Sequence, residues 1–238
     1  MTNQEFSNEF DILYNNIASN QAPGLDEYEK SVFLTKAQDE IIKNYFNPKG
    51  NKYLEGFDGN EKRQIDFSMI TKTKVYTEFD NPMIDNRDNS KSVTLDSSIL
   101  MIINEFIDVT RNGKSLRLVA VPLDYKEYSR LMSKPYKRPL KFQAWRVINS
   151  SDLFNKSELI VGLNDTITSY SIRYVKKPRA IILTDLPEDI TLDNSNMEQS
   201  CELDPLLHQE ILQRAVELAK AAYLGDLSSS VELGKRSE

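Results

Sequence analysis

Asp204 to Gly225, DPLLHQEILQRAVELAKAAYLG, constrains this chain more than any other stretch. Asp204 is an N-cap residue, and Pro205 suits a first helical turn, where a missing N–H costs nothing. Gly225 stands where helices commonly end in a left-handed residue. Between them Leu207, Ile211, Ala215, Leu218 and Ala222 recur at helical spacing, with Leu212, Val216, Ala219 and Tyr223 beside them. Such a helix is about 30 Å long and carries a wide apolar face that must be covered. Ala215, Ala219 and Ala222 are small, so a second helix can approach closely along that line.

The covering elements are expected at the other end of the chain. Residues 3 to 18 read as a helix with Phe6, Phe10, Leu13, Tyr14 and Ile17 on one face, and Thr2 and Glu5 have capping-box spacing. Asn20 to Gly24 is a turn. A second helix runs from Asp26 to Phe46, with Asp26 and Glu29 as a capping box and Tyr28, Val32, Phe33, Ala37, Ile41, Ile42 and Tyr45 inward. Asn47, Pro48 and Gly50 stop it. Residues 59 to 70 read as a short third helix with Ile65, Met69 and Ile70 inward.

From Lys72 the pattern turns to strands: 72–79, 93–96, a fully buried 99–109, the returning run LRLVAVPL, then 142–148, 159–163 and 166–175, with 181–183 extending the last. Arg111-Asn112-Gly113-Lys114 is a hairpin turn, because Asn-Gly tolerates positive φ. Residues 124–132 read as one short helix, and 184–203 as an acidic, irregular linker. Short helices are marginal alone in water, so the chain ends are expected to pack together. The fold class is therefore α+β: terminal helices as a helical bundle around a central antiparallel β-rich insertion. Its segments are 1–71 (N-terminal helices), 72–183 (insertion), 184–225 (linker and long helix) and a polar tail, 226–238.

The chemistry in the sequence is sparse. A single histidine, His208, falls on the first turn of the long helix and reads as a surface residue, which argues against Ser-His-Asp and Cys-His catalysis. His and Cys are too few for ordinary zinc sites. The acidic groups Asp185, Glu188 and Asp189, and Asp85 with Asp88, lack the spacing of a Mg²⁺ site. Neither GxxxxGK(S/T) nor GxGxxG, the two phosphate-loop patterns, occurs. No catalytic residue, metal or cofactor is expected. Cys201, the one cysteine, excludes an internal disulfide and fits synthesis in a reducing cytoplasm. The N-terminus is polar and acidic, unlike a secretory signal, and no apolar run is long enough to span a bilayer.

Net charge is −6, which disfavours bulk attraction to nucleic acid. Two basic patches stand out against it: Lys134, Lys137, Arg138 and Lys141, then Arg173, Lys176, Lys177 and Arg179, interleaved by Tyr136 and Tyr174. Three readings stay open: phosphate contact with base stacking, contact with a partner subunit, or a solvated strand edge. On the first, the protein is a nucleic-acid-binding accessory protein using loops 134–141 and 173–179.

The order and combination of LDEYEKSVFLTKAQDEII, VPLDYKEYSRLMSKPYKRP with AWRV, IRYVKKPRAIIL and CELDPLLHQEILQRAVELA resembles virion structural proteins of crAss-like, Bacteroides-infecting short-tailed phages. The chain is more distantly similar to head–tail connector (adaptor) and tail-tubular proteins. That resemblance implies a non-enzymatic neck-ring subunit of about a dozen copies below the portal, made in the bacterial host cytoplasm. Its implied partners are other copies of itself, the portal protein, the next neck or tail ring, and passing double-stranded DNA without sequence-specific contact; no membrane is implied. It further implies portal contact through the C-terminal tail, here Leu227, Val231, Leu233, Lys235 and Arg236. The basic residues Lys134, Tyr136, Lys137, Arg138, Lys141, Arg173, Lys176, Lys177 and Arg179 then become subunit or partner contacts.

Overall fold

The computed structural model describes residues 1–17, 24–46, 65, 67–82, 89–134, 138–149 and 156–224. The chain divides into two compact units, Met1–Ile70 with Pro178–Glu238, and Thr71–Lys177.

In the first unit, α1 (Asn3–Ile17) and α2 (Glu27–Phe46) both begin with reciprocal capping boxes. Thr2 N–H donates to Glu5 and Glu5 N–H to Thr2 Oγ1; Asp26 and Glu29 repeat the exchange. The C-terminal helix starts as a 3-10 turn, Pro205–Leu207, capped by the Asp204 carboxylate on Leu206 N–H, and continues as a long α-helix, His208–Leu224. The expected faces are inward: Phe6, Phe10 and Tyr14; Ala37, Ile41 and Ile42; Leu207, Ile211, Leu212, Ala215, Val216 and Ala219. The long C-terminal helix packs against both α1 and α2. Lys220 Nζ donates to Leu13 O at 3.1 Å, and Arg214 pairs with Glu40 at 2.7 Å. Its inward line ends differently from expectation: Ala222 is exposed and Ala221 buried, in the last turn before the helix ends at Leu224.

Two further expectations fail here. Residues 59–64 and 66 lie outside the described part, but Ile65 and Met69 are exposed, while Phe67 and Ile70 are buried. Residues 67–70 form a turn, so helical spacing does not govern them; Phe67 meets Tyr45 edge-on at 5.0 Å. Ile181–Leu183 extend no strand. They lie along α2 as an extended strap bonded by side chains of that helix, and Pro178, with no N–H to give, stands where the last strand would have continued.

The second unit is one curled sheet with strand order β1-β7-β3-β4-β5-β6-β2. Its strands are β1 (Thr71–Tyr76), β2 (Ser90–Thr94), β3 (Ile99–Arg111), β4 (Lys114–Leu123), β5 (Gln143–Asn149), β6 (Lys156–Ile160) and β7 (Asp165–Lys176). Asn112 and Gly113 turn β3 into β4 with φ of 51° and 75°, the two positive angles an Asn-Gly hairpin needs. The insertion is not purely antiparallel as expected. β4 and β5 pair in parallel, because the short helix α3 (Tyr125–Met132) carries the chain back to the starting end before β5 begins. Nor is 99–109 fully buried: Leu100 and Met101 are exposed, and burial alternates through Glu105, Ile107 and Val109. β6 ends at Ile160, earlier than the apolar run suggests, since Gly162 to Asp165 form a turn.

Curling brings the sheet edges together: Asp80, beyond β1, exchanges backbone hydrogen bonds of 2.8 and 3.1 Å with Ser92 of β2. Ile107, Val109, Leu118, Leu159, Tyr170 and Ile172 fill the interior. Buried Arg146 donates to Glu105 at 2.6 Å, and Tyr170 Oη donates to the same carboxylate at 2.7 Å. Burial, then the Glu105 charge, pushes the Tyr170 phenol well above its ordinary pKa. α3 covers a second apolar patch through Tyr128 on Trp145, Val147 and Ile160.

Candidate assembly surfaces

Arg111 organises one end of the sheet. Its Nη2 meets Asp165 Oδ2 at 2.6 Å and its Nη1 meets Lys141 O at 3.0 Å. Gly162 lies so close to the Asp165 carboxylate that a Cβ would come within 2.9 Å of it. Three loops are thereby tied at one end: the β3–β4 turn, the β6–β7 turn and the segment entering β5. Arg111 is neutralised by Asp165, which leaves Lys114, Arg138 and Lys141 as exposed cations there. Lys141 also lies over the Phe142 ring at 5.5 Å. Lys134, just past α3, is exposed; Tyr136 and Lys137 lie outside the described residues.

The other basic patch sits elsewhere. β7 runs twelve residues from Asp165 to Lys176, roughly 35 Å at about 3.3 Å per residue. Arg173 is exposed along it, and Lys176 and Lys177 stand at its far end, where Lys177 N–H donates to Ser98 O. Tyr174 is buried in the sheet core, so it offers no ring for base stacking; its neighbours in register put it on the inner face. Arg179 belongs to the helical unit and is engaged by Glu202 through both its guanidinium, at 2.8 Å, and its backbone N–H. Within the sheet unit Lys141 and Lys176 therefore stand near opposite ends of β7.

The strap on α2 was not legible from apolar periodicity. Ser31, Thr35 and Gln38 form a buried or half-buried polar stripe at i, i+4, i+7. Ser31 Oγ accepts from Leu183 N–H, Thr35 Oγ1 from Ile181 N–H, and Gln38 Nε2 donates to Arg179 O. The signal was present as polar residues at helical spacing flanking the apolar ones. Beside them Lys30 is buried with Asp11 at 2.7 Å and Glu27 at 3.0 Å. Burial alone would lower its pKa, but hydrogen bonds to those two carboxylates raise it overall.

Residues 184–203 form no helix or strand, as expected, but isolated bridges and turns fold them back on themselves. Ile182 and Gln199 exchange two backbone bonds, Leu186 N–H donates to Asn196 O, and Leu192 pairs with Ser195. Asp193 and Asn194 turn the tip with positive φ. The result is a hairpin anchored by Ile182, Leu186, Ile190 and Leu192 on Tyr28. From Ala180 to Gln213 the sequence has no Lys or Arg, while Asp185, Glu188, Asp189, Asp193, Glu198, Glu202, Asp204 and Glu210 make it strongly acidic. The anchoring residues Ile182, Leu186, Ile190 and Leu192 are separated mostly by exposed, largely polar positions, which hid them in the sequence. Asp185 Oδ1 is used internally, accepting from Glu198 N–H.

His208 is a buried residue and not a surface one. Its Nδ1 lies 2.7 Å from the Met1 ammonium and its Nε2 3.1 Å from Leu203 O, with the ring against Phe6. Burial first, then the ammonium charge, lowers its pKa. Burial pushes the Cys201 thiol up to about 11, so it stays protonated at neutral pH. Among the described residues no group of His, Cys, Asp and Glu is placed to hold a metal ion. No helix among them is long and apolar enough to cross a membrane. Leu227, Val231, Leu233, Lys235 and Arg236 lie outside the described residues.

Comparison with known proteins gives one consistent result. The profile of the phage tail ring protein 3/4 family matches residues 1–230. Ring protein 4/5 of Bacteroides phage crAss001 is 52% identical over 242 residues, spanning 100% of both chains. Ring protein 3 of the same phage is 32% identical over 223 residues, covering 92% of this chain and 95% of the relative.

Proposed function

The chain belongs to the phage tail ring protein 3/4 family, and from that premise we propose that it forms a closed ring in the virion neck, below the portal, around the channel through which DNA passes. The observation that carries this reading is similarity to two ring proteins of one phage over 100% and 92% of this chain. About a dozen copies make the ring, each contacting two neighbours through two different surfaces, as a closed cyclic assembly requires. One rim docks the portal, aided by the tail residues Leu227, Val231, Leu233, Lys235 and Arg236, and the other rim docks the next ring. The net charge of −6 suits a channel wall that repels passing DNA and does not hold it. Within this reading Lys134, Tyr136, Lys137, Arg138 and Lys141 face neighbouring subunits or rings, as do Arg173, Lys176 and Lys177. Arg179 serves inside its own subunit through Glu202.

Cryo-electron imaging of the neck, compared between wild-type particles and particles carrying a tagged copy, tests the proposal. Extra density repeated around a ring coaxial with the channel is expected. Extra density on the capsid shell or on fibres overturns it.

A further inference from the structure

A closed ring of identical subunits needs two different, mutually complementary patches on each chain, because a head-to-tail contact uses unlike surfaces. This chain presents one such pair. At the Arg111 end of the sheet, Leu140, Phe142 and Leu163 are 68%, 60% and 63% exposed, large apolar side chains out in water beside Lys114, Arg138 and Lys141. They sit on loops fixed by Arg111, so the patch is pre-shaped for docking. Its opposite in charge is the 182–199 hairpin, where Glu188 and Asp189 are exposed and Met197, 69% exposed, supplies an apolar side chain on the returning arm. Backbone bonds hold that hairpin in shape too.

Resting on the ring reading, we propose that the acidic 182–199 hairpin of one copy docks on the basic, apolar Arg111 end of the sheet of the next copy. The apolar side chains exclude water at the centre, and Lys114, Arg138 and Lys141 meet Glu188 and Asp189 around it, which fixes direction and discourages like-to-like pairing. Neither half has a complement of its own kind, so the contact propagates in one direction around the ring.

The test is a charge exchange in the full chain, supplied to a phage lacking its own copy and read as copies per virion. Lys114→Glu with Arg138→Glu and Lys141→Glu, or Glu188→Lys with Asp189→Lys, should each lower incorporation by about tenfold or more, since like charges at a contact cost more than the 1.4 kcal/mol that a factor of ten represents. Combining both sets in one chain should restore it to within about twofold, and so should supplying the two singly reversed chains together, which can alternate around a ring. Purified single-set variants should melt with the wild type, because the altered side chains are exposed. The inference is overturned if either set alone assembles at the wild-type level, or if neither the combined chain nor the mixed pair exceeds the single sets. Wild-type chain missing from the virion would defeat the ring reading itself, a distinct result.

Discussion

Two buried polar sites, one in each unit, work in opposite ways. In the sheet unit the buried charges face each other: Glu105 takes hydrogen bonds from Arg146 and Tyr170, side chain to side chain, inside a curled sheet whose backbone is paired by register. In the helical unit Ser31, Thr35 and Gln38 of α2 serve backbone instead, holding the 179–183 strap, while Lys30 of the same helix pairs with carboxylates. The contrast teaches where each unit's order comes from. The sheet is specified by residues contiguous in sequence, 71–177, whereas the helical unit is closed by contacts across the whole chain, such as Lys220 on Leu13 O. A disturbance near either chain end therefore reaches the helical unit first.

The largest expected effect is in the sheet unit. Glu105→Ala leaves the Arg146 guanidinium buried without its counter-ion and should destabilise that unit by about 3–5 kcal/mol, whereas Glu105→Leu with Arg146→Met should cost far less. Urea unfolding followed by Trp145 fluorescence measures both. Equal losses in the two variants would mean that packing, and not charge pairing, governs the site.

Thr35→Val in the helical unit removes the group that serves both Ile181 N–H and C=O. The expected cost is about 1–3 kcal/mol. Hydrogen exchange should speed up at Ile181 and Leu183 but not along β7, which sharpens the division between the units. Asp204→Ala deletes the cap on Leu206 N–H and should cost about 1 kcal/mol; the loss should appear in the helical unit alone.

A smaller effect depends on pH. His208 has a folded pKa below its ordinary value of 6.5, so the folded state prefers the neutral ring. Its contribution is complete above that value and is lost as pH falls through the lowered folded pKa, where the unfolded chain already binds the proton. Melting temperature should therefore decline between neutral pH and the range just below 6.5. His208→Gln should flatten that decline. A decline of the same size in the variant would place its origin in carboxylates.

What was legible was mostly local. Caps at Thr2, Asp26 and Asp204 and the turn at Asn112-Gly113 depend on a few neighbouring residues, and each stands as expected. The parallel β4–β5 pair was not, since strand direction is set by where α3 returns the chain and not by alternation within a strand. His208 looked like a surface residue because its burial comes from Met1 and Phe6, some two hundred positions away. The candidate surfaces were half legible. The lysines and arginines of the first patch were visible, but Lys114 and the tie through Arg111 come from loop proximity that only the sheet order creates. Tyr174 and Arg179 looked accessible in sequence and are committed elsewhere, one to the core and one to Glu202.

The most direct test of the ring account is copy number per purified virion, by quantitative mass spectrometry against the major capsid protein. The account predicts a fixed stoichiometry of about a dozen copies, or a whole multiple of that number, as closed cyclic rings demand. Absence from the virion, or a variable count tracking contamination, would contradict it.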